Sequence, residues 1–243
     1  MSILGRRTAI ISLGCSCQVA RQIKLYEPRL SELTGDSLKR SRFPFDWLIS
    51  PLNGIEQVLN RPSAPGPDDV EFHPAVFKKA VFWKSRHVYF WHDFLVDGRV
   101  DIPAAFAENQ EKYRHAFEKF ARLGAWSRRI FVLANTQNNL DDVRARAPAC
   151  DFSFSAARIA RIAARLDAIF PDGRNELITV AYRSRITDNP ADWPAEPYLL
   201  EPDLSDWEGD DAAWAQVFEA YFDRNREQES RPGTTGMVGE RAL

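Results

Sequence analysis

Short apolar runs alternate with long helical patterns along this chain, and this alternation most constrains its fold. Runs of β-branched and apolar residues predict buried strands at 8–13, 130–134 and 177–181. Apolar residues that recur every three or four positions predict helices over 17–25, 104–123, part of 151–169, and 211–222. Such alternation favours an α/β fold with a mostly parallel sheet flanked by helices, in which 8–13 is a central strand covered on both faces.

Length and charge indicate one ordinary globular unit. The chain has 243 residues, enough to bury a large core, so we predict a single α/β domain over residues 1–223. The polar, glycine-bearing stretch 224–243 predicts a disordered tail. The 32 basic and 34 acidic residues are interspersed, which favours neither nucleic acid nor a membrane as a partner. The oligomeric state does not follow from the sequence.

An aromatic region follows the first predicted helix. Pro28 and Gly35 predict that 26–42 is mostly loop, and Pro44 places the segment FPFDWLIS at an edge or in a loop. Further along, an aromatic hairpin is predicted from three stretches: 81–83, a turn at 84–86, and HVYFWHDF at 87–94. We expect this hairpin to close over another group.

The stretch between the first strand and the first helix, GCSC, carries two of the three cysteines. Gly14 permits a sharp turn, and the Ser16 hydroxyl is a candidate cap for the free amides of the helix. The spacing predicts that Gln18 and Gln22 face water. Because ligands of open α/β sheets bind at the carboxyl ends of the strands, this turn is a candidate substrate-binding site.

Cys17 would lie at the helix start, where free amides and the helix dipole lower the pKa of a thiol. A nucleophilic cysteine needs a base, and His92 is the candidate because it stands among aromatic residues and precedes an aspartate. Asp93 or Asp46 could orient the imidazole, since each is a carboxylate in apolar company that needs a partner.

Two further residues are candidates for supporting roles. Asn135, directly after the second predicted strand, could instead orient an imidazole or bind substrate from the sheet edge. For Asp46, the expected partners are the amides of the Gly14 to Cys17 turn or the ring of His92; the alternative is that this carboxylate caps amides within its own tight turn.

Several kinds of chemistry lack their sequence patterns. The three cysteines do not have the paired spacing of a zinc site, so no metal is predicted. Phosphate-binding glycine motifs are missing, and no cofactor is predicted. An odd number of cysteines argues against a disulfide framework, and the N-terminus does not resemble a secretory signal, so we expect a cytoplasmic protein.

Taken together, ISLGCSC with the following VARQI, then FPFDWLIS, then HDF resemble a bacterial family of unknown function described as papain-like cysteine peptidases. The match covers roughly the first half of the chain. The family pattern is SLG, two variable residues and Cys, so the resemblance implies Cys17 as its cysteine, and it carries over Asp46, His92 and Asp93. It implies peptidase-type chemistry, and the family's association with polysaccharide-modifying enzymes makes a glycan-linked substrate an option.

These observations lead to two functional hypotheses. The first is a cysteine-dependent hydrolase or acyl transferase in which Cys17 attacks an acyl carbon, His92 moves the proton and the turn amides hold the oxyanion. The alternative is a non-catalytic protein that binds a small molecule or a glycan in an aromatic pocket, with Trp47 of PFDW among the binding residues. The expected partner is a small-molecule, peptide or glycan-linked substrate.

Overall fold

The computed structural model describes residues 7–38, 42–193, 195–203 and 205–230. The strands are, in chain order, β1 (Thr8–Ser12), β2 (Leu48–Ile49), β3 (Val70–Phe72), β4 (Val81–Trp83), β5 (Val88–Phe90), β6 (Leu95–Val96), β7 (Arg99–Val100), β8 (Arg128–Ala134), β9 (Arg174–Tyr182) and β10 (Tyr198–Leu200). The helices are α1 (Cys17–Thr34), α2 (Leu52–Asn60), α3 (Ile102–Arg122), α4 (Leu140–Arg146), α5 (Ala156–Ile169) and α6 (Asp211–Ser230).

A parallel sheet, here called sheet A, is the centre of the α/β arrangement. Its strands lie in the order β1-β8-β9-β10. On one face, Val132 and Val180 pack with α1 and with Trp214 of α6. On the other, Phe131 packs against Phe120 of α3, with α5 in the same core. The predicted α/β class, with a mostly parallel sheet flanked by helices, is therefore confirmed.

The prediction that 8–13 is a central strand is wrong. β1 forms one edge of sheet A, and in the described part of the chain β8 is its one strand neighbour. The two-sided apolar pattern arises because helices cover both faces of the sheet even at this edge, where Ile11 is fully buried on one face and Ile10 packs against the core of α1 and α6 on the other. Burial of both faces indicates coverage and does not fix the place of a strand in the sheet order.

A second sheet, sheet B, is antiparallel and has the order β2-β5-β4-β3. β4 and β5 pair across a turn at Lys84–Arg86. Trp83 and Phe90 project into the same core as Phe131 of sheet A. β5 ends at Phe90, so residues 91–94 leave the sheet rather than continue it.

Helix α1 is twice as long as predicted and contains Pro28. A proline inside a helix removes one backbone hydrogen bond. Here Pro28 lies on the exposed side, where water can solvate the released carbonyl, while Leu30 on the opposite side is fully buried. The burial of Leu30 therefore stabilises the helix beyond Pro28. The helix ends at Gly35, which has a left-handed conformation.

The predicted disordered tail begins too early. α6 continues to Ser230, so residues 224–230 are helical, and 231–243 lie outside the described residues. Asn225 explains part of the extension, because its side-chain oxygen accepts a hydrogen bond from Arg174 Nη2 (3.1 Å) at the start of β9. A polar composition does not prevent a helix that faces water on most sides.

No helix in the described part of the chain combines the length and the apolar character that a bilayer crossing demands.

Gly54 of α2 provides a test of the packing between this helix and sheet B. A Cβ at this position would lie 2.6 Å from Val88 Cγ1 and 2.9 Å from the carbonyl oxygen of His87. We expect Gly54→Ala to destabilise the fold by about 1–3 kcal/mol in a urea melt, although alanine favours helices. The matched control is Gly124→Ala, where nothing lies within 4 Å; it should change stability by less than about 0.5 kcal/mol. Equal effects of the two substitutions would contradict this packing.

Candidate functional site

The turn between β1 and α1 lies at the carboxyl end of sheet A, as expected for a ligand-binding position. Gly14 has φ +90°, a conformation that favours glycine. Cys15 N donates a hydrogen bond to Ala134 O (3.2 Å), and Ser50 N donates one to Cys15 O (2.9 Å). The turn is thus held between the end of β8 and the end of the FPFDWLIS segment.

Cys17 is the first residue of α1 and is 9% exposed. Its Sγ donates to Gln137 Oε1 (3.6 Å). Burial raises the pKa of this thiol to about 11, and the prediction of a lowered pKa is wrong. Removing the thiolate from water costs more free energy than its interaction with the helix amides provides, so the thiol is protonated at neutral pH.

Ser16 occupies the N-cap position of α1 without capping it. Its backbone is extended, but its side chain makes no capping hydrogen bond. The predicted cap is therefore wrong, although the helix begins where it was expected. Ser16 is 1% exposed and is not available as a surface group that binds substrate.

Gln18 and Gln22 were predicted to face water, and both are buried. Gln18 Oε1 accepts from Thr136 Oγ1 (2.6 Å) while its Nε2 donates to Trp207 O (3.1 Å). Gln22 Nε2 donates to Glu208 O (2.8 Å). The segment before α6 packs across this side of α1, which the local spacing of the helix could not reveal.

Asn135 is fully buried, and its side chain is bonded to backbone groups. Its Nδ2 donates to Phe152 O (2.9 Å) and Arg185 O (3.2 Å), and its Oδ1 accepts from Tyr182 N (3.3 Å). These bonds join the ends of β8 and β9 to the loop before α5. The side chain therefore orients loops at the carboxyl edge, and no histidine is among its partners.

His92 and Cys17 are not brought together. No hydrogen bond joins them within the described part of the chain, where the ring of His92 instead packs edge-on against Trp47 with centroids 5.7 Å apart. The pKa of His92 is lowered by partial burial and by nearby positive charges, of which Lys112 is the largest. The imidazole is therefore neutral at neutral pH, but it has no contact with the thiol that it was predicted to deprotonate.

Asp93 lies in a buried ionic cluster rather than beside the ring of His92. Its side chain is fully buried, and it accepts hydrogen bonds from Lys112 Nζ and from Tyr113 OH (2.6 Å), with Arg42 Nη2 at 3.7 Å. The next residue, Phe94, has φ +61°, which is strained for a bulky side chain. The HDF segment is thus held in an unusual conformation by contacts to α3.

Asp46 is buried, as predicted, and it makes the hydrogen bond of the alternative interpretation, within its own turn. Its Oδ2 accepts from Phe43 N (2.9 Å), which closes the FPFD turn. The negative charge of Asp46 also contributes to raising the pKa of the Tyr113 phenol, with a smaller effect than that of burial. The charge of the FPFD turn therefore acts on the same tyrosine that donates a hydrogen bond to Asp93.

A cavity of about 500 Å³ lies beside these segments. Residues of β1, α1, the C-terminal end of α3 and the FPFDW turn line it. Aromatic side chains line it from several segments of the chain: Phe43, Trp47, Trp126 and Trp207. Trp47 belongs both to this cavity and to the contacts of the HDF segment, through His92.

Several functional candidates were missed in the sequence. Gln137, the partner of Cys17, belongs to the polar stretch after β8, and the position of that stretch at a strand end was the available signal. Tyr113 is one of the residues of α3 that recur every three or four positions and so predict its apolar face, and Lys112 directly precedes it. Nothing local in the sequence marks them as partners of Asp93.

Comparison with known proteins adds no relative: no protein-family model matches the chain, and no curated protein or solved structure matches it significantly. The resemblance to papain-like cysteine peptidases stays a prediction. Among the described residues, no three His, Cys, Asp or Glu side chains are placed to hold a metal ion. The geometry of the site is therefore the basis on which a function can be argued.

The protonation of Cys17 can be tested by alkylation with iodoacetamide, followed by peptide mapping. With a pKa of about 11, the rate at Cys17 should be lower at pH 7 than that of an unstructured peptide of the same sequence. It should rise about tenfold per pH unit toward pH 11. Modification at pH 6 that is faster in the folded protein than in the peptide would show an activated thiolate.

Asp93 should be important for stability. Asp93→Ala leaves Lys112 and the buried Tyr113 hydroxyl without their acceptor, so we expect a loss of about 3 kcal/mol in a urea melt. Asp93→Asn should lose less, because it retains an acceptor oxygen. The control is Glu111→Gln on the exposed side of α3, which removes an exposed ion pair with Arg114 and should cost under about 1 kcal/mol. A loss for Asp93→Ala no larger than that of the control would contradict the ionic cluster.

Proposed function

We propose that this protein binds a small organic molecule with a flat ring face, such as a sugar or an aromatic metabolite, in the cavity beside the FPFDW turn. The observation that carries the proposal is the cavity of about 500 Å³ with four aromatic side chains from three separate segments of the chain. Ligand sites are typically clefts of roughly 300–1,000 Å³ with apolar walls and a few fixed polar groups.

The ionic cluster supports this proposal because it fixes one wall. Tyr113 and Lys112 hold Asp93, and Asp46 closes the turn that precedes Trp47. Trp47 itself is packed against His92. A ring that is held by its neighbours loses little conformational entropy when a ligand stacks on it.

Two features of the wider fold belong to the same proposal. We take the described residues through the end of α6 as one domain, supported by the core that Phe131 of sheet A shares with Trp83 of sheet B. We take the β4–β5 pair as the support of the HDF segment, since Phe90 packs edge-on against Tyr113 with centroids 5.0 Å apart. The three free cysteines support a reducing compartment, the cytoplasm.

The second candidate function is cysteine-dependent hydrolysis or acyl transfer at Cys17. It is favoured by one observation: the α1 amides beside Cys17 have no side-chain cap and could hold an oxyanion. It lacks a base in contact with the thiol. Rapid alkylation of Cys17 at pH 6 would favour this function over ligand binding alone.

Binding can be tested with N-phenyl-1-naphthylamine, a neutral aromatic probe whose fluorescence rises in apolar sites. We expect saturable binding to the full chain, weakened about tenfold or more by Trp47→Ala because the stacked ring surface is lost. Trp126→Ala, from another segment of the cavity lining, should weaken it as well.

The matched control is Trp91→Ala, which removes another tryptophan in contact with His92 that is not among the cavity residues. It should change the affinity less than about twofold. Urea melts of all three variants would show that each is folded. The absence of probe binding to the wild type, or equal losses in all three variants, would overturn the proposed function.

A further inference from the structure

The cavity lining includes basic side chains from two helices, α1 and α3, here called the basic rim. Lys24 projects from α1, while Lys119 and Arg122 project from the last turn of α3. Among the described residues none of the three forms an ion pair. The fourth basic residue of the lining, Arg21, is already paired with Glu208 and with Asp211 (2.6 Å). The three unpaired cations therefore remain available to a ligand.

The acidic side chains of the lining do not neutralise all of this positive charge. Asp46 is bound within its own turn, and Glu208 is paired with Arg21. Glu27 is the remaining carboxylate. The hydrogen bond from Phe43 N leaves the charge of Asp46 in place. Three basic side chains without an ion pair in the described part of the chain therefore stand against two carboxylates, Asp46 and Glu27, that Arg21 does not pair with.

Helix electrostatics alone explain only part of this arrangement. Basic residues in the last turn of a helix are favoured by the helix dipole, which accounts for Lys119 and Arg122. Lys24 lies in the middle of α1, where the dipole offers no such advantage.

A second cavity shows the contrast. It contains Arg128, Arg174 and Arg226, but these pair with Glu176 and Asp223 in the structure. Each of its three arginines therefore has a carboxylate partner within the protein. In the described part of the chain, Lys24, Lys119 and Arg122 of the aromatic cavity have none.

We infer that the ligand of the aromatic cavity is an anion, a ring compound with a phosphate, sulfonate or carboxylate group held between Lys24 and the end of α3. The inference rests on the proposed function, since it concerns the same cavity. The ring stacks against the aromatic wall that includes Trp47, and the anionic group lies at the basic rim. Cations at such positions attract an anionic ligand through a salt-sensitive interaction.

The test compares 8-anilinonaphthalene-1-sulfonate, which carries a sulfonate, with the neutral probe N-phenyl-1-naphthylamine. The sulfonate probe should bind the wild type more tightly. Lys24→Gln and the double variant Lys119→Gln, Arg122→Gln should each weaken its binding about 2–5-fold, and leave the neutral probe within about twofold. Raising the salt concentration should weaken the sulfonate probe alone. Lys84→Gln, on the β4–β5 turn outside the cavity, is the matched control.

The outcomes separate the two proposals. If neither probe binds, the proposed function fails. If both bind with equal affinity and the three basic residues can be replaced without effect, the cavity binds ligands but the anion inference is overturned. If Lys84→Gln weakens the sulfonate probe as much as Lys24→Gln, the effect is one of overall charge, and the inference is overturned as well.

Discussion

The backbone hydrogen bond from Ser50 N to Cys15 O (2.9 Å) is the contact on which the arrangement of the site depends. It joins the turn after β1 in sheet A to Ser50, the last residue of the FPFDWLIS segment. Ser50 directly follows β2, which belongs to sheet B. Because both groups are buried backbone atoms, each would lose free energy without a partner. This contact places the FPFDW turn along the free edge of sheet A, where the cavity forms.

The buried ion pair between Asp93 and Lys112 of α3 fixes the position of the HDF segment. A carboxylate as buried as Asp93 is stable only when it is paired and hydrogen-bonded, and Lys112 and Tyr113 supply both. The charge of Asp46 in the FPFD turn acts on the same tyrosine. The HDF segment is held against α3 by Asp93, and its His92 packs edge-on against Trp47 of the FPFDW turn.

The properties of Cys17 show which of two opposing effects dominates. A helix N-terminus stabilises a negative charge by about 0.3–1 kcal/mol, and up to about 2 kcal/mol in favourable cases. A thiol pKa of about 11, raised from 9.0, corresponds to about 3 kcal/mol against the thiolate. Desolvation is therefore the larger effect. The neutral amide of Gln137, the hydrogen-bond partner of the thiol, adds no positive charge to offset it.

The sequence by itself determined the α/β class, the positions of β1, β8 and β9, and the start of α1 at Cys17, because these depend on local periodicity and on turn residues. Burial of Asp46 also followed from its neighbours alone. Only the tertiary structure decided that β1 is an edge strand, that Gln18 is buried, and that Asp93 pairs with α3 rather than with His92. These depend on contacts between residues far apart in the chain, which no local pattern encodes. The protonation of Cys17 belongs to the same class, since desolvation is set by everything that packs around the thiol.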